Sequence, residues 1–74
     1  MCLLEMEVGQ KACIDCLHVS SELKNRLNAL GFIRDNDICI KKFGLFKSTV
    51  QIMINRSLIA LRKEEARLIE VHLI

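Results

Sequence analysis

Short runs in which apolar and polar residues alternate are the feature that most limits what this sequence can fold into. A period of two places successive side chains on opposite faces of a β-strand. The alternation occurs in four segments, with apolar positions at Ala12, Ile14 and Cys16, at Ile38 and Ile40, at Val50, Ile52 and Ile54, and at Ile69, Val71 and Leu73. Residues 57–62 form one more short candidate strand, so the sequence predicts five strands in all.

One segment has helical spacing instead. Its leucines recur at intervals of three or four residues, at Leu23, Leu27 and Leu30. Ser20 and Ser21 precede them and are suited to cap a helix N-terminus. The pattern predicts a short amphipathic helix from about residue 21 to residue 30, ended by Gly31 in the left-handed conformation.

The remaining segments are turns between these elements. Phe32 and Ile33 are expected to re-enter the core, and residues 34–37 form a polar turn before the second strand. Residues 55–56 suit a tight turn because Asn tolerates positive φ, and residues 63–66 are predicted to form one helical turn. Together these elements predict a mainly β fold, a small antiparallel barrel of about five strands with one short helix inserted after the first.

Composition restricts the function classes. The chain has 74 residues, enough for one domain spanning residues 1–74, and its formal charge of +2 comes from basic and acidic residues that are interspersed along it. Because nucleic-acid binders gather their basic residues into a stripe, we expect no nucleic-acid partner. No apolar run approaches the ~20 residues that span a bilayer, so we expect a soluble, cytoplasmic protein without membrane insertion.

The cysteines and histidines are the residues that could form a metal-binding or catalytic site. Cys13 and Cys16 have the spacing of a zinc-binding turn, but on a strand an offset of three places them on opposite faces, and no second pair matches them. We therefore expect no metal site and a buried Cys16. No spacing ties His18 or His72 to each other or to a carboxylate, and no pattern indicates catalytic or cofactor-binding residues, so the chain is not expected to be an enzyme.

An apolar loop follows the second strand. Phe43, Leu45 and Phe46 stand within four positions around Gly44, followed by Lys47. Three large apolar side chains exceed what one short turn buries, which is typical of an interaction surface. Two interpretations remain open: the loop contacts a partner, or it closes one end of the core.

Three motifs resemble the ferrous iron transport protein A (FeoA) family. The run from Arg26 to Phe32 is similar to the family's Arg-Leu-x-x-Leu-Gly-hydrophobic signature. The run from Ile59 to Ala66, with Ile69 to Val71, is similar to its closing motif, and Gly9 to Ala12 with Ile14 is similar to its opening. The resemblance covers residues 6–71, although residues 45–49 depart from the Pro-containing loop of many members.

The resemblance implies an SH3-like barrel and a cytoplasmic, non-enzymatic accessory role in ferrous iron uptake. The implied partner is the cytoplasmic part of the membrane transporter FeoB, with self-association as a further mode of action. A related barrel in iron-dependent repressors implies the alternative of a transition-metal-binding or metal-sensing module. On the present residues, we expect partner contacts at Phe43, Leu45, Phe46 and Lys47.

Overall fold

The computed structural model describes residues 1–74. Five strands and two helices follow one another as β1 (Lys11–Leu17), α1 (Ser21–Ala29), β2 (Asp37–Phe43), β3 (Thr49–Ile54), β4 (Ser57–Arg62), α2 (Lys63–Ala66) and β5 (Ile69–Leu73). Two single 3₁₀ turns lie at Leu3–Glu5 and Leu45–Lys47. Every predicted strand and helix is present, and the 3₁₀ turn at Leu3–Glu5 was not predicted.

The five strands form one antiparallel sheet in the order β4-β3-β2-β1-β5. The pairing register shifts between Ile14 and Cys16 in β1 and between Ile40 and Lys42 in β2. Such β-bulges bend a strand and increase its twist. The sheet thereby curls into the predicted SH3-like barrel, and α2, which connects the two edge strands, packs against β3, β4 and the Leu3–Glu5 turn.

The barrel interior is a single apolar cluster with no buried polar side chain. Its fifteen members are Leu3, Met6, Ala12, Ile14, Leu27, Phe32, Ile38, Ile40, Val50, Ile52, Ile54, Leu61, Ala66, Ile69 and Val71. The alternating positions of the strands therefore face inward as predicted, apart from Cys16 and Leu73. Leu3 and Met6 show that the first residues of the chain are also part of the core.

Three predicted core positions are wrong, and the first is Leu73, which is 45% exposed at the end of β5. Cys16 is exposed, because the bulge that follows Ile14 resets the alternation and places Leu17 against the core instead. Ile33 is 50% exposed, whereas its neighbour Phe32 is fully buried as predicted. The amide of Asn36 donates to the carbonyl of Ile33 at 3.0 Å, so Ile33 begins a tight turn that faces solvent.

Helix α1 begins and ends with the predicted caps. The Ser20 hydroxyl accepts a hydrogen bond from the Leu23 amide at 3.3 Å. At the other end, the amides of Gly31 and Phe32 donate to the carbonyls of Asn28 and Leu27, each at 3.0 Å. This is a Schellman motif, which requires positive φ at Gly31, and φ there is 107°.

We predict that Gly31→Val is more destabilising than Gly9→Val. Both glycines have positive φ, where a β-branched residue is strained by roughly 1–2 kcal/mol. A Cβ at Gly9 would meet nothing within 4 Å, whereas at Gly31 it would stand 2.8 Å from Nδ2 of Asn55. Urea unfolding should therefore show a loss at Gly31 that exceeds the loss at Gly9. Equal losses would contradict this account of the α1 terminus.

Candidate functional site

The loop that follows β2 is closed at its base and apolar at its tip. The amide of Gly44 donates to the carbonyl of Thr49 at 2.8 Å, and the amide of Lys47 donates to the carbonyl of Gly44 at 2.9 Å. At the tip, the side chains of Leu45 and Phe46 are 77% and 89% exposed. We call residues 43–47 the 43–47 loop. Its exposed tip rules out the interpretation that Leu45 and Phe46 close the core.

The backbone of the 43–47 loop holds Phe46 in an unfavourable conformation. Phe46 has φ 54° and ψ 30°, and the following Lys47 has φ 57°. The left-handed region costs a residue with a Cβ roughly 1–2 kcal/mol. Since Phe46 is almost fully exposed, no core packing offsets this cost. Strained residues of this kind cluster at binding sites, where the strain fixes the direction of a side chain.

The other two predicted site residues, Phe43 and Lys47, lie at the base of the loop and contact the rest of the protein. Phe43 packs against the core, and Nζ of Lys47 lies 4.7 Å from the centroid of its ring, a cation–π contact. The same Nζ donates to the carbonyl of Leu4 at 3.0 Å. Lys47 thus connects the 43–47 loop to the N-terminal 3₁₀ turn, and the structure brings all four predicted residues together in one loop.

A second group of polar residues lies where β1 meets β5. Sγ of Cys16 is 4.0 Å from Nδ1 of His18, and Nε2 of His18 is 3.0 Å from Oε1 of Glu70. Nδ1 of His72 is 2.6 Å from Oδ1 of Asp15. Both histidines therefore pair with carboxylates, which the sequence did not indicate because each pair joins residues more than 50 positions apart. The only feature of the local sequence that could have indicated this group is that Cys16 and His18 are two residues apart.

The Cys13-x-x-Cys16 pair does not act as a unit. Sγ of Cys13 lies 3.9 Å from the carbonyl of Ile14, whereas Cys16 contacts His18. Partial burial raises the pKa of the Cys13 thiol, and three carboxylates raise it further, those of Asp37, Asp35 and Asp15. No three His, Cys, Asp or Glu side chains stand close enough together to hold a metal ion. All four cysteines are free thiols.

Comparison with known proteins assigns the family. The FeoA domain model matches residues 1–73, and a Campylobacter jejuni protein provisionally named Fe(2+) transport protein A is 40% identical over the full length of both chains. The chain belongs to the FeoA family. The resemblance noted in its three sequence motifs is thereby confirmed.

Solved structures of FeoA proteins have the same fold. The solution structure of FeoA from Chlorobium tepidum has a TM-score of 0.93 at 26% identity, with all of this chain and 70% of that chain covered. Iron(II) transport protein A from Clostridium thermocellum has the same TM-score at 35% identity, with all of this chain and 46% of that chain covered. In the FeoA-like protein of Clostridium acetobutylicum, the fold is retained at 22% identity, with a TM-score of 0.87. None of the helices in this FeoA-family chain is long and apolar enough to cross a membrane.

We predict that Phe46→Gly does not destabilise the protein. Glycine adopts the left-handed conformation without the Cβ penalty, so the relieved strain should offset the greater freedom that glycine gives the unfolded chain. The matched control is Leu45→Gly, since Leu45 is similarly exposed but does not have positive φ. We expect the control to lose about 0.5–1 kcal/mol in urea unfolding. Equal losses in the two variants would show that Phe46 is not strained.

Proposed function

We propose that this chain is a cytoplasmic, non-catalytic accessory protein of ferrous iron uptake. It acts by docking the 43–47 loop onto the cytoplasmic part of an FeoB-like membrane transporter. The family assignment and the Campylobacter relative named for Fe(2+) transport support the process. The observation that carries the docking surface is the pair Leu45 and Phe46, exposed at the tip of a loop whose base is closed by hydrogen bonds.

Two properties of the 43–47 loop favour docking: its tip is apolar, and its conformation is fixed before binding. Burial of a phenylalanine and a leucine removes a large apolar area from water, and residues of this kind that fill a partner's pocket contribute most of an interface's affinity. The strained backbone and the contacts of Lys47 hold the loop in one conformation before the partner binds. A pre-organised loop loses little conformational entropy on binding.

The surroundings of the loop indicate the chemistry of its partner. Three exposed basic residues flank it: Lys42 lies on β2, and Arg62 and Lys63 lie where β4 meets α2. Arg62 is the cross-strand neighbour of Thr49, and the amide of Lys63 donates to the carbonyl of Ser48 at 3.0 Å. None of the three forms a salt bridge within the chain. We infer a partner surface with an apolar pocket and a rim of carboxylates, because complementary charge steers association.

We predict that the double variant Leu45→Ser with Phe46→Ser loses transporter binding and keeps its fold. Removal of an anchor residue typically weakens an interface by about 2 kcal/mol or more, so the dissociation constant should rise at least about 30-fold. Binding of the full chain to the purified cytoplasmic part of the transporter measures this change. Thermal unfolding of the same samples should match wild type, because both side chains are exposed.

The matched control is Ile33→Ser with Leu58→Ser, which removes two other apolar side chains that are 50% and 55% exposed. The control should bind as wild type does. Loss of binding in the control alone would place the docking surface elsewhere. If the loop instead mediates self-association, wild type would show concentration-dependent sedimentation and the double variant would not, while both would bind the transporter equally. This result would contradict the proposal.

A further inference from the structure

We propose that Cys16 and His18 chelate a divalent first-row transition-metal ion, with Glu70 positioning the imidazole. These three residues form the Cys16 cluster: Cys16 lies on β1, His18 directly follows β1, and Glu70 lies on β5. None of them belongs to the 43–47 loop. The inference goes beyond docking and does not depend on it. It also differs from the metal site that the Cys13-x-x-Cys16 spacing suggests, because Cys13 is not a member.

The separation of the two ligand atoms suits a shared ion. Sγ of Cys16 and Nδ1 of His18 are 4.0 Å apart. Metal–sulfur and metal–imidazole bonds of about 2.3 Å and 2.0 Å that meet at a tetrahedral angle hold their two ligand atoms about 3.5 Å apart, so the side chains need to approach each other by only about 0.5 Å. One ion can therefore contact both atoms with little movement of either side chain. The bulge in β1 creates this arrangement, since it turns Cys16 out of the core and toward His18.

Glu70 prepares the imidazole to bind a metal. An ionised carboxylate only accepts hydrogen bonds, so Nε2 of His18, 3.0 Å from Oε1 of Glu70, is the nitrogen that donates. In the neutral ring, Nδ1 then carries the lone pair, and Nδ1 is the nitrogen that faces Cys16. A carboxylate behind a ligating histidine in this way fixes the tautomer and the orientation of the ring.

The other thiols and the other histidine lack this arrangement. Sγ of Cys2 lies 3.2 Å from the carbonyl of Arg67, and Sγ of Cys39 lies near the carbonyls of Gly9 and Ile40. The raised pKa of the Cys13 thiol disfavours the thiolate that a metal requires. His72 faces Asp15. Cys16 is thus the only cysteine whose sulfur contacts an imidazole.

The ligand types define which ions the cluster would take. A thiolate with an imidazole suits Fe²⁺, Co²⁺ and Zn²⁺, whereas Mg²⁺ and Ca²⁺ prefer oxygen ligands. Two protein ligands leave the other coordination positions to water. The site is therefore exchangeable and does not contribute to folding in the way that a four-ligand structural zinc site does.

Cobalt titration of the reduced full-length chain tests the proposal. Co²⁺ bound to a thiolate absorbs in the near ultraviolet, and we expect wild type to show this band with saturation at one equivalent of bound ion. Cys16→Ser should abolish the band. Glu70→Gln should keep it but weaken the affinity about 10-fold, as the loss of a residue that orients a metal ligand typically does. Zn²⁺ should displace the cobalt, and Mg²⁺ should not.

Two variants serve as matched controls. Cys39→Ser removes a thiol and His72→Gln removes an imidazole outside the Cys16 cluster, and both should titrate as wild type does. Circular dichroism establishes that each variant is folded. The proposal is overturned if wild type shows no thiolate band at millimolar Co²⁺, if Cys16→Ser retains the band, or if Cys2→Ser or Cys13→Ser abolishes it. Since no transporter is present, this outcome is independent of docking.

Discussion

Packing among the apolar side chains that fill the barrel interior is the interaction on which the rest of the structure depends. Fifteen residues form this core, and none of them is polar. Because the core is small, each part of the chain must contribute to it, including the 3₁₀ turn that supplies Leu3 and the single turn of α2 that supplies Ala66. A domain of this size buries a smaller fraction of its surface than a larger one, so an apolar side chain left outside the core is a contribution that the domain forgoes.

Because the core is small, the apolar side chains that the 43–47 loop exposes to solvent are unusual. The chain has three phenylalanines: Phe32 is fully buried, Phe43 is partly buried against the core, and Phe46 is 89% exposed. Phe46 also has the left-handed backbone conformation that phenylalanine rarely adopts. An aromatic residue that is both exposed and strained contributes nothing to the core, and this is why we propose that it contacts a partner.

The strands could be predicted from the sequence because their inward positions repeat with a period of two. Val50, Ile52 and Ile54 illustrate this, and all three are buried. The bulge after Ile14 could not be predicted, since it depends on how β1 pairs with β5, a strand more than 50 residues away. For the same reason the sequence placed Cys16 in the core and missed its contact with His18.

The candidate site could be predicted only in part from the sequence. The apolar composition of the 43–47 loop identified its residues, but it did not indicate the positive φ of Phe46 or the hydrogen bond from Lys47 to Leu4, which joins residues 43 positions apart. The Glu70 carboxylate behind His18 likewise depends on strand pairing. Local pattern thus indicates which residues are unusual, and the fold determines which of them act together.

Amide chemical-shift mapping tests the docking claim most directly. The ¹⁵N-labelled chain would be titrated with the unlabelled cytoplasmic part of the transporter, without substitution of any residue. We predict that the largest shift changes fall in residues 43–48 and at Leu4, whose carbonyl accepts from Lys47, and that β5 is unaffected. Changes concentrated on α1 or on the exposed edge of β4, with the 43–47 loop unchanged, would contradict the account.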